Sequence, residues 1–142
     1  MSDLSEAEIR AIAAGFVRCS EALRDDLDPE GVWSPETNAD QAAYDAVDQA
    51  IDHGSPERAW VLVRAVLQAA DDAELAYHAA GPLEDLVRHL ATALVDVIEA
   101  EAAENERFRW ALGQIWMPAK QFPPDVEARL VRASGGAIEP FV

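Results

Sequence analysis

The stretch Ala79-Ala80-Gly81-Pro82-Leu83-Glu84-Asp85-Leu86 constrains the fold more than any other in this chain. Glycine closes a helix C-terminus in the left-handed conformation without steric penalty. Proline is accepted at the first helical position, where an N–H would go unpaired anyway. Gly81-Pro82 therefore predicts one helix ending, a sharp corner, and a second helix beginning. Glu84 and Asp85 fall in the first turn of that second helix, where the positive end of the macrodipole favours carboxylates. Leu83, Leu86, Val87 and Leu90 follow as an apolar stripe of helical period.

Helix signals of the same kind recur along the chain. Ser5-Glu6-Ala7-Glu8 is a capping box, and Ile9, Ile12, Ala13, Phe16, Val17, Ser20 and Leu23 mark one face of the helix after it. Asp25 to Gly31 ends that helix, and residues 28–38 read as a loop carrying Trp33. Asn38 to Gln41 opens a helix through Tyr44, Val47 and Ile51 that Gly54 closes. Ser55-Pro56-Glu57 is a strong start signal. The helix it opens carries Ala59, Trp60, Val63, Val66, Leu67 and Ala70 on one face, and is expected to be the most buried. Beyond the corner, Leu94, Val95, Ile98 and Ala102 point inward while Asp96, Glu99, Glu101 and Glu104 point out. Asn105 caps a further helix with Phe108, Leu112, Ile115 and Trp116 inward and Pro118 as its stop. The tail holds a short helical candidate with Val126 and Leu130, a flexible Gly135-Gly136 pair, and apolar last residues expected to dock on the domain.

No segment alternates with period two, so no sheet is expected. The fold class is all-α: a compact single-domain bundle or stack of helical hairpins, six to eight helices across residues 1–142, with 118–142 a tail packing on the rest. A length of 142 residues suits one domain. Cys19 is the single cysteine, so no intrachain disulfide forms, and its place in a helical pattern reads as a small core or boundary residue. No basic region precedes an apolar run near the start, and no run approaches a membrane-spanning length. A cytoplasmic protein is expected.

Charge narrows the partners. Eleven basic residues against 27 acidic ones give −16. Such a surface repels nucleic-acid phosphates and anionic membranes, and favours a basic protein partner. Acidity as a general solubility device accounts for the same number, and a single lysine, Lys120, points to compositional bias.

The search for chemistry yields little. Glu74 and His78 stand four apart, as do Asp85 and His89, so each pair shares a helix face. Two carboxylates and two imidazoles from neighbouring helices are a donor set for zinc or iron, and a small metal-dependent enzyme or sensor is one reading. Ordinary surface ion pairs account for the same spacing. No serine, histidine and acid arrangement argues a catalytic triad, and no glycine-rich phosphate loop is present. No cofactor is expected. Trp110 falls off the apolar face of its helix between Arg107 and Arg109. With Trp33 it forms the candidate partner-binding set; the alternatives are packing beneath the tail for Trp110 and pinning the loop onto the core for Trp33. Trp60 and Trp116 read as core.

Trp60, then Ala80-Gly81-Pro82-Leu83-Glu84-Asp85-Leu86, then Phe108, Leu112 and Trp116 also carry a resemblance. They resemble the signature of a family of small bacterial proteins known as a domain of unknown function, marked by an Ala-Gly-Pro-Leu-Glu-Asp-Leu-Leu core. The likeness covers roughly residues 56–117, with Val87 in place of the last leucine and His89-Leu90-Ala91 in place of a histidine-glycine corner. It implies a compact helical domain and supplies no catalytic residues. The function expected is non-catalytic, through contact with a protein partner, and in its sharper form the neutralising or regulating of a basic one. A homodimeric structural subunit is the third reading.

Overall fold

Ser5 and Glu8 exchange the two hydrogen bonds of a capping box, Glu8 N donating to Ser5 Oγ (3.1 Å) and Ser5 N to Glu8 Oε1 (3.2 Å). They start α1 (Glu6–Asp25), the first of the helices. A computed structural model of the chain describes residues 4–25 and 40–141. The predicted loop with Trp33 lies outside the described residues. Every regular element among the described residues is helical, and the one strand-like feature is an isolated parallel bridge between Pro118 and Phe141. The all-α expectation holds.

The chain divides into two compact units between Ala70 and Asp71. The first holds α1, α2 (Gln41–His53) and α3 (Pro56–Ala69). Ser55 Oγ accepts from Arg58 N (3.2 Å) and Pro56 takes the first helical position, so α3 starts where its sequence dictates. Phe16 stacks on Tyr44 with ring centroids 4.8 Å apart. A Cβ on Gly15 would lie 2.7 Å from that of Ala43, so α1 and α2 cross at a contact only glycine allows. Arg18 grips Asp40 through two 3.0 Å bonds at the start of α2. Inside lie Ala13, Phe16, Cys19, Val47, Ile51 and, on α3, Leu62, Val63, Val66 and Leu67. Leu62 takes the fully buried place on α3 expected of Trp60, which is half-buried. Cys19 is fully enclosed, and burial, with Asp40 and Asp45 nearby, pushes its thiol pKa up. It is an unreactive core residue.

In the second unit the predicted corner is absent. A 3₁₀ turn (Asp72–Glu74) leads into α4 (Leu75–His78), then a π-helical turn (Ala79–Leu83), then α5 (Glu84–Glu104), with no break. Gly81 does not adopt positive φ; among the described residues only Lys120, Gly135 and Gly136 do. The physical reason is Pro82, which lies inside the helical path. It has no N–H for the helical ladder, and its ring collides with the carbonyl four residues earlier in a normal α-turn. Widening that turn to π geometry makes room for the ring while the chain continues.

α5 buries Leu86, Val87, Ala91, Leu94, Val95, Ile98 and Ala102. Asn105 joins it to α6 (Glu106–Leu112): its N–H closes α5 on Glu101 O (2.8 Å) and its Oδ1 caps Phe108 N (3.0 Å). α7 (Pro124–Ala133) packs against α5 through Val126 and Leu130. There Arg129 reaches across to Asp96 and Glu99, its Nε 3.0 Å from Glu99 Oε2. The expected flexible pair Gly135-Gly136 is an ordered helix stop. Both glycines are left-handed, with Gly136 N on Val131 O and Gly135 N on Arg132 O, both 2.9 Å.

Two outcomes follow. A Cβ on Gly81 meets nothing within 4 Å and the residue is helical, so Gly81→Ala should stabilise the chain by about 0.5–1 kcal/mol in urea unfolding; a left-handed corner would require a loss. Hydrogen bonds from Arg129 hold the Glu99 carboxyl below its ordinary 4.5, against burial and the nearby Asp96 charge. A carboxylate with a depressed folded pKa contributes stability above its unfolded pKa and loses it as pH falls through the folded value. Glu99→Gln should therefore be less stable than wild type near neutral pH, with the gap closing as pH drops below about 4.5.

Candidate protein-binding surface

The most exposed tryptophan of the described residues is Trp116, at 74%. Helical spacing from Phe108 and Leu112 would turn it inward, and it was expected in the core. Instead α6 ends at Leu112 and Gly113 lies beneath the returning tail. A Cβ there would sit 2.8 Å from that of Ala137, so the tail crosses where only glycine leaves space. The helix stops short of Pro118, and Trp116 leaves the phase of Phe108 and Leu112. The missed signal was Gly113 itself, a helix-stop residue placed just after the last apolar position.

Beyond Gly113 the chain is tied down by main-chain bonds. Trp116 N donates to Glu84 Oε1 (2.6 Å), and Arg88 holds the other oxygen of that carboxylate at 3.3 Å. Phe141 N donates to Met117 O (3.1 Å) and Ala119 N donates to Phe141 O (2.7 Å), which forms the parallel bridge. Ser134 Oγ accepts from Ile138 N (3.1 Å), and the Ile138 side chain is buried. The tail is docked along this unit. Trp116 and Phe141 then meet edge to face, centroids 6.0 Å apart, with Phe141 48% exposed. The result is a fixed aromatic pair open to solvent.

The predicted site residues are placed differently. Trp110 on α6 is half exposed, so it is open to contact. Its flanking arginines are engaged within the unit: Arg107 Nε bonds Asp72 (2.7 Å), and Arg109 Nε donates to Ala102 O (2.8 Å) at the end of α5. Arg109 thereby satisfies a carbonyl that the helix end leaves without an intrahelical partner. Glu84 sits in the first turn of α5 as expected, but α5 continues from the π turn, so no free helix end waits for it. Its carboxylate serves Trp116 N and Arg88 instead. Asp85 lies 3.9 Å from Arg88.

The metal alternative is not assembled. Among the described residues no three histidine, cysteine, aspartate or glutamate side chains converge, and Glu74, His78, Asp85 and His89 are not brought together. His78 is fully buried, edge-on to Tyr77 at 5.1 Å, while His89 is exposed. Among the described residues no helix is long and apolar enough to cross a membrane.

A family model described as a family of unknown function, DUF6869, matches residues 30–138. The chain belongs to that family. The match reaches well beyond the 56–117 stretch that carried the resemblance, and takes in Glu84, Trp116 and the docked Ile138. No curated protein and no solved structure matches the chain.

The tether of Trp116 can be tested directly. Glu84→Ala should speed hydrogen exchange at the Trp116 amide by about tenfold or more, because the acceptor of that N–H is gone. Exchange in the middle of α7, measured in the same experiment, should be unchanged.

Proposed function

We propose that this protein acts by binding another protein, with Trp116 and Phe141 as the anchor and a basic surface as the complement. The carrying observation is a tryptophan exposed to 74% on a backbone segment that is already fixed. Partners bind tightly where a few aromatic side chains fill a pocket, and tryptophan and tyrosine are enriched among them. Fixing the segment in advance spares part of the ordering cost of association.

The charge supports the choice of partner. A chain at −16 draws a basic surface by long-range attraction and speeds the encounter. An arginine or lysine of that surface gains further attraction from the face of Trp116. The setting we propose is a bacterial cytoplasm, and the outcome for the partner is neutralisation or regulation of its basic surface. A homodimer is disfavoured on this reading, since two copies at −16 repel. Nucleic acid and anionic membranes are disfavoured for the same reason.

Capture from native lysate with the full chain tests it. The expected partner has a basic isoelectric point and is released as salt is raised. It is also lost from Trp116→Ala, which should weaken binding by about 2 kcal/mol or more. A partner held equally by Trp116→Ala, or undiminished in high salt, would overturn the reading.

A further inference from the structure

The three helices of the first unit leave a half-open cleft of about 320 Å³. That volume stands at the lower end of the roughly 300–1,000 Å³ typical of ligand sites. Ile12 of α1, Ala46 of α2 and Leu62 of α3 make its apolar floor. Gln49, His53 and Arg58 make its polar rim. The rim is a product of chain order: α2 ends at His53 and α3 begins at Pro56, so the two-residue link sets the last turn of one helix beside the first turn of the next.

Two features point to a ligand. Among the described residues, no aspartate or glutamate lines the cleft. Arg58 makes no ion pair among the described residues, whereas Arg10, Arg18, Arg88, Arg107 and Arg129 each face a carboxylate. Its backbone N–H caps onto Ser55, so the guanidinium has no part in starting the helix. In so acidic a chain, a guanidinium over an apolar cleft with no carboxylate among its described lining residues is a local reversal of sign.

We infer that this cleft binds a small monocarboxylate, with its aliphatic or aromatic body on Ile12, Ala46 and Leu62 and its carboxylate on Arg58. Guanidinium and carboxylate match in a planar, two-bond geometry. A single charge is selected because each further negative charge is repelled by the whole chain. Gln49 and His53 supply further hydrogen-bonding groups at the mouth. The site belongs to the first unit and the aromatic pair to the second, and the proposal stands or falls independently of the protein partner.

The test is NMR titration of the full chain with hexanoate, 1-hexanol and hexylamine as probes. Hexanoate should give saturable shifts at the methyls of Ile12, Ala46 and Leu62 and at Arg58 Nε, with hexanol about tenfold weaker or more. Arg58→Gln keeps the backbone N–H that caps α3 and should reduce hexanoate affinity about tenfold or more, while Arg64→Gln on the same helix should leave it unchanged. Shifts that do not saturate, hexylamine binding as tightly as hexanoate, or full affinity in Arg58→Gln would overturn the proposal.

Discussion

Pro82 has no N–H to give to a helix, and the second unit is arranged around that deficiency. A kink or break is the usual response to an interior proline, at a cost of about 3 kcal/mol or more. Here the chain widens into a π turn over Ala79–Leu83, and both flanking residues, His78 and Glu84, keep α-helical backbone angles. One extra residue in a turn rotates everything after it by about 100° relative to an unbroken α-helix. That rotation sets which residues of α5 face the interior. Leu83, Leu86 and Val87 go in, and Glu84 is left at the boundary with only 16% of its side chain exposed. A carboxylate at that depth needs donors, and it finds them in Arg88 and in the backbone N–H of Trp116. The proline's defect thus leads, through helical phase, to the anchoring of a segment more than thirty residues away.

The charge of the chain is distributed by similar local settlements. Arg129 joins α7 to two carboxylates of α5, Arg107 joins α6 to Asp72, and Arg18 joins α1 to Asp40. Such pairs on an open surface contribute little each, typically about 0–1 kcal/mol. Their larger effect here is on what is left over. With eleven cations against 27 acids, these internal contacts leave a large excess of negative charge. The cleft between α1, α2 and α3 is the exception, with Arg58 and no carboxylate among its described lining residues.

Much of the helical layout was legible in the sequence because helix starts are local events. Ser5 with Glu8, Ser55 with Pro56, and Asn105 each act within four residues, and each caps as its chemistry requires. The periodic apolar residues of α5 and α7 were readable for the same reason. The failures came where distant chain decided. Gly81-Pro82 is locally consistent with a corner, but the buried packing of Ala79, Pro82 and Leu83 carries the helix through. Phe108, Leu112 and Trp116 share a helical phase on paper, until Ala137 from the tail passes over Gly113. The acceptor of the Trp116 N–H is a glutamate 32 positions earlier, and no local pattern announces such a bond.

Trp116 and Phe141 differ from the other anchoring residues in how they are held. Glu84, Arg109, Asn105 and Ser134 hold the fold with their side chains, so their identities are required by the structure. Trp116 is held by its backbone N–H, and Phe141 by its N–H and carbonyl. Any residue other than proline could make those bonds. The fold therefore needs the positions and is nearly indifferent to the rings, apart from their mutual edge-to-face contact, worth about 0.5–1.5 kcal/mol. Yet the ring at 116 leaves most of its surface in water, forgoing roughly 3–5 kcal/mol that full burial of so large a side chain would contribute. That unclaimed surface, on a tryptophan the fold positions but does not require, is what the proposed protein contact would use.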